Sequence, residues 1–108
     1  MTLTETKEFL RREERFKDLQ SVMSTMEGRR FIWRQLGETG VFRTSFVAGA
    51  ADTTAFNEGS RNYGLRLLSE IMSELPDHYL IMQKEAVDNE QINKAEVNRN
   101  TGHGDSDD

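Results

Sequence analysis

FNEGSRNYGLRLLSEIMSEL, residues 56–75, sets Phe56, Gly59, Tyr63, Leu67, Ile71 and Leu75 apart by 3, 4, 4, 4 and 4 positions. That period puts them on one helical stripe, which Gly64, Leu68 and Met72 widen. So wide an apolar face is expected of the central helix of a small bundle. Gly59 and Gly64 each cost about 1 kcal/mol relative to alanine inside a helix. Their presence implies close approach of another helix or of a bulky ring such as Trp33. The helix is predicted over 53–75, capped by Asp52, Thr53 or Thr54. Pro76 ends it, because the residue before a proline disfavours helical geometry.

The facing surface is expected from GRRFIWRQLGETGVFRTSF, residues 28–46. Ile32, Trp33 and Leu36 form the inward side of a helix over about 25–38, with Phe31 widening it. Ser24 or Thr25 caps its start, and Gly40 suits the left-handed position at its end. Trp33 reads as a core anchor, whose truncation would cost the ~3–5 kcal/mol typical of large buried rings. Residues 40–52 form a connector whose Val41, Phe42, Phe46 and Val47 fold back on the core. The predicted core is thus Phe31, Ile32, Trp33, Leu36, Phe56, Tyr63, Leu67, Leu68, Ile71 and Met72.

Two flanking helices complete the pattern. Residues 1–24 carry Phe9, Phe16, Leu19, Val22 and Met23 at helical spacing, with Thr4 or Thr6 as cap. Between them, charges of alternating sign make three- and four-residue pairs such as Glu8–Arg12 and Glu13–Lys17, a solvated face. Pro76 suits the first turn of a fourth helix running to about Asn89. Residues 90–100 extend it as a frayed end, and TGHGDSDD closes the chain as a disordered acidic tail. The predicted fold is all-α: a three- to four-helix bundle with a long N-terminal helix. It divides into a charged helix (1–24), a helical core (25–89) and a frayed, acidic end (90–108).

At 108 residues the chain is one domain whose core is marginal alone, so oligomerisation or a partner is expected. There is no cysteine, which excludes disulfides and thiolate metal sites. No apolar run reaches the length of a membrane span or a secretory signal. The net charge is −5 and unevenly spread. Residues 28–66 carry six arginines against three acids, whereas residues 67–108 carry three bases against ten acids. Arginine without lysine in the middle points to forked contacts with carboxylates or phosphates. Arg29, Arg30, Arg34, Arg43, Arg61 and Arg66 are therefore the candidate partner-contact residues. Pairing within the chain, to Glu27, Glu38, Glu58, Glu70 and the acidic end, competes with that role. Contact with DNA phosphate is a further alternative, opposed by the net negative charge. His78 reads as a helix-start surface residue and His103 as part of the solvated tail. Glu58 and Glu70 are expected to pair with Arg61 or Arg66. No catalytic, metal-binding or phosphate-loop constellation is found, so neither an enzyme nor a cofactor is expected.

Four pieces recur in an order that resembles a family of small tailed-phage proteins typified by one from a Bordetella podovirus. They are GRR-F-W at Gly28–Trp33, GVFR-SF at Gly40–Phe46, F-EG-RN-GLRLL at Phe56–Leu68 and P-YL-M-KE at Pro76–Glu85. The resemblance covers about residues 16–87. It implies a structural or virion-associated protein, assembled in the host cytoplasm and present in many copies. Its place would be the portal or head–tail region, or the interior as a small protein ejected with DNA. Its partners would be other virion proteins. An assembly factor not retained in the particle, or a DNA-associated helical module, is the alternative.

Overall fold

The computed structural model describes residues 1–43 and 49–106. Phe46 and Val47 of the connector and the last two aspartates lie outside the described residues, as do the side chains of residues 101–106, His103 among them.

Four helices follow one another: α1 (Leu3–Met23), α2 (Met26–Thr39), α3 (Ala51–Glu74) and α4 (Pro76–Ser106). The all-α bundle is therefore of four helices. Its local signals are capping chemistry. Thr2, not Thr4 or Thr6, caps α1: its hydroxyl accepts from the Glu5 amide at 3.1 Å. Thr25 caps α2, accepting from the Gly28 amide at 3.0 Å. Gly40 ends α2 with φ +80°, the left-handed conformation that glycine adopts without a Cβ clash. α3 begins earlier than its polar residues suggest, with Ala50 at the cap position and no side-chain cap bond. α4 passes well beyond Asn89, because nothing between Pro76 and Thr101 breaks a helix.

α2 lies at the centre and packs against each of the other three helices; α3 and α4 also touch. The buried core is Leu19 and Met23 from α1, Ile32 and Leu36 from α2, Val41 just after it, Ile71 and Leu75 around the end of α3, and Met82 from α4. Phe16, Trp33, Leu67, Leu68 and Tyr79 pack around it, partly buried. Full burial of a side chain such as Leu36, Ile71 or Met82 contributes about 1.5–3 kcal/mol.

Four residues expected inside are outside. Phe31 is 48% exposed, Phe56 75%, Tyr63 57% and Met72 51%. The reason is the shape. The molecule measures 76 × 41 × 15 Å, so its shortest dimension holds no more than about two packed helices. A layer this thin covers only part of each helix circumference, so a wide apolar stripe is left half open. Leu19, Met23, Val41, Leu75 and Met82 take the interior places instead.

The close approach inferred at Gly64 is real, but its neighbours are not Trp33. A Cβ there would lie 2.1 Å from the Thr39 hydroxyl and 3.2 Å from the Val41 Cβ. At Gly59 nothing comes within 4 Å, so that glycine has no packing role.

A candidate docking groove between α2 and α4

Gly28, Arg29 and Arg30 do three different things. A Cβ on Gly28 would lie 1.8 Å from the Val22 carbonyl oxygen, so the α1–α2 corner closes only around glycine. Arg29 turns inward, with its side chain 15% exposed. Its Nε donates to Glu85 Oε1 at 2.5 Å and its Nη2 to Glu85 Oε2 at 3.3 Å, a forked pair. Its Nη1 donates to the Met23 carbonyl at 2.9 Å, satisfying an acceptor at the end of α1. One guanidinium thus ties α1, α2 and α4 together. The hydrogen bond to Glu85 holds its pKa above the ordinary arginine value, against the opposing effect of burial. Arg30 points out, onto a groove.

That groove runs between α2 and α4 and encloses about 710 Å³. Met26 and Trp33 from α2, with Met82 and Ala86 from α4, supply apolar lining. Arg30 and Arg34, one helical turn apart, stand at the α2 side. Asn89, Asn93 and Val97 continue the α4 side past the end of the core, with Glu85, Glu90 and Lys94 as its charged groups. The Trp33 ring lies against Phe42, with centroids 5.2 Å apart, so it is half anchor and half wall.

The six arginines therefore separate. Arg29 is structural. Arg30 and Arg34 share the groove, and the Arg34 guanidinium lies 5.6 Å from the centre of the Phe31 ring. Arg43 and Arg61 brace the loop after α2: Arg43 Nη2 donates to the Gly37 carbonyl and Arg61 Nε to the Arg43 carbonyl, each at 3.2 Å. Arg66 sits over Tyr63 on the outer face of α3, 5.9 Å from the ring centre. Glu70 pairs with Arg15 of α1 rather than with Arg61 or Arg66. Among the described residues the other ion pairs, besides Arg29–Glu85, are Lys84–Asp88 and Lys94–Glu90, and no group of His, Asp and Glu is placed to hold a metal ion.

The α4 side of the groove was hidden in the sequence. Met82, Ala86, Asn89, Asn93 and Val97 follow a helical period, but three of the five are small or amidic. The signal was their spacing, not their hydropathy. No charged residue of the groove is buried without a partner, and the arrangement offers no nucleophile–base pair. What it can do is accept a helix or peptide with apolar anchors and negative flanks.

The four sequence pieces quoted above meet one another in space. Gly28-Arg29-Arg30 reaches the Lys84-Glu85 piece through Arg29–Glu85. Gly40-Val41-Phe42-Arg43 meets the third piece where Val41 lies against Gly64 and Arg61 bonds the Arg43 carbonyl. Their co-occurrence is therefore architectural. Residues 19–84 match the family model described as Bbp19-like phage protein. The match begins at Leu19, the first core residue of α1, and stops just before Glu85. No curated protein and no solved structure matches the chain.

Proposed function

The chain belongs to the Bbp19-like phage protein family, and from that premise we propose that it is a non-catalytic component of the phage particle that works by protein–protein contact. The observation that carries this reading is the α2–α4 groove, apolar along its floor and holding two arginines that are in no ion pair among the described residues, beside the paired Glu85, Glu90 and Lys94. Surfaces of that composition bind protein: arginine and aromatic residues concentrate at interface hot spots. Supporting it, the matched pieces of sequence are consumed in holding the fold together, and none assembles a reactive centre. The net charge of −5 and the internal use of Arg29 argue against DNA as the ligand.

We place the protein at the portal or head–tail region, or inside the head as a small protein released with DNA, with other virion proteins as partners. The test is lysine- and carboxylate-directed cross-linking of intact particles, read by mass spectrometry. Cross-links from this protein's exposed lysines and carboxylates to a portal, tail or internal virion protein are expected. Cross-links confined to proteins of the outer head surface would refute the placement.

A further inference from the structure

We propose that the α2–α4 groove receives the N-terminal half of α1 from a second copy of the chain. This rests on the arm and the groove alone and holds whether or not the protein stays in the particle.

The arm is an amphipathic helix that meets the body only at its base, where Arg12, Glu13 and Arg15 border α3 among the described residues. From Leu3 to Arg15 every residue except Thr6 is exposed, including Phe9 at 51% and Leu10 at 59%. Phe9 continues the stripe that Phe16, Leu19 and Met23 bring into the core. One turn to either side of Phe9 lie Glu5 and Thr6, and Arg12 and Glu13; neither glutamate has an ion pair among the described residues. The groove presents Met26, Trp33, Met82 and Ala86 as floor, Arg30 and Arg34 on its α2 side, and Glu85, Glu90 and Lys94 on its α4 side, where Glu85 pairs with Arg29 and Glu90 with Lys94. Phe9 and Leu10 fit the apolar floor, and Glu5 and Glu13 suit the arginine side of the groove, whose Arg30 and Arg34 have no ion pair among the described residues.

The arm cannot fill the groove of its own chain. α1 is one unbroken helix from Leu3 to Met23. Phe9 is therefore about 21 Å along the axis from Met23, the end that Arg29 ties to α4. The arm leaves the body beside α3, where Arg15 meets Glu70.

The exposed area agrees. A compact monomer of this mass exposes about 6,100 Å². This chain exposes 8297 Å². The surplus, about 2,200 Å² per chain, exceeds the roughly 800 Å² that each partner of a standard stable interface gives up. Reciprocal exchange of arms closes a two-fold dimer, and one-way exchange builds a ring.

Sedimentation velocity of the full chain over about 5 to 200 μM tests the proposal. A species of at least twice the 12.4 kDa monomer is expected. Phe9→Asp with Leu10→Asp should weaken association at least tenfold while leaving the helical circular dichroism spectrum in place, since both side chains are exposed. Arg30→Glu with Arg34→Glu should do the same, and adding Glu5→Arg and Glu13→Arg should restore it. Because the chain has no cysteine, Phe9→Cys with Asn89→Cys should give an oxidised covalent oligomer on a denaturing gel. A monomer throughout the concentration range would overturn the proposal. So would association that survives Phe9→Asp, or that the charge reversal at Arg30 and Arg34 leaves unchanged.

Discussion

Arg29 shows how far a residue's type and its role can diverge. It lies among exposed arginines in the sequence, yet it joins three helices through a forked bond to Glu85 and a bond to the Met23 carbonyl. Arg29→Ala should lower the unfolding free energy in urea by about 1.5–3 kcal/mol, the range for hydrogen bonds to charged groups. Arg29→Lys should recover only part of it, because an ammonium cannot span both carboxylate oxygens. With the guanidinium's pKa raised in the folded state, its contribution is complete below the ordinary arginine value and is lost only above the raised one. Titrating from pH 6 to 10 should therefore leave the Arg29→Ala decrement unchanged on the arginine's account. The two α3 glycines make a matched pair. Gly64→Ala would drive a methyl into Thr39 and should destabilise by about 1–3 kcal/mol. Gly59→Ala meets nothing and should stabilise by about 0.5–1 kcal/mol. Thermal melts of the two variants should move in opposite directions. The periodicity of residues 56–75 marked both glycines as unusual but could not separate them, since the separation depends on where Thr39 lands. Trp33 likewise read as a plain core anchor. Half-buried against Phe42 on the groove wall, it should cost less than a fully enclosed ring when truncated.

The helices themselves were legible because their ends are chemical. Thr25 and Gly40 bracket α2 to within a residue of the predicted 25–38, and Pro76 divides α3 from α4 as expected. Which face each helix buries was less legible. Phe56, Tyr63 and Met72 lie on or beside the same stripe as Ile71, yet only Ile71 is enclosed, because the width of a stripe does not tell which of its sides a neighbour covers. The extent of α4 was not legible either, since residues 90–100 carry no breaker and no packing signal. That distal half gives an element-scale prediction. Residues 91–100 are exposed throughout. Truncation after Glu90 should lower the unfolding free energy in urea by no more than the ~0.5 kcal/mol typical of surface changes, while lowering helical ellipticity. Truncation after Ile81 removes Met82 and Glu85 and should abolish cooperative unfolding.

At the scale of the whole molecule the feature that organises the rest is thinness. The radius of gyration is 19.5 Å, against about 13 Å for a compact chain of this length. A flat layer exposes both its broad surfaces, leaves α1 and α4 overhanging, and opens a groove that a thicker bundle would fill with its own side chains. The candidate contact residues reflect this. Arg30 and Arg34 could be named from sequence, but the groove between them and α4 required the fold. A phage protein of this build is expected to work embedded among neighbours rather than alone in solution. The most direct measurement is quantitative mass spectrometry of gradient-purified particles, with the major capsid protein as the internal standard. The protein should be present at a fixed stoichiometry of many copies per particle through successive purification steps. Its loss to background during purification, while the portal and tail proteins remain, would contradict the assignment to the virion.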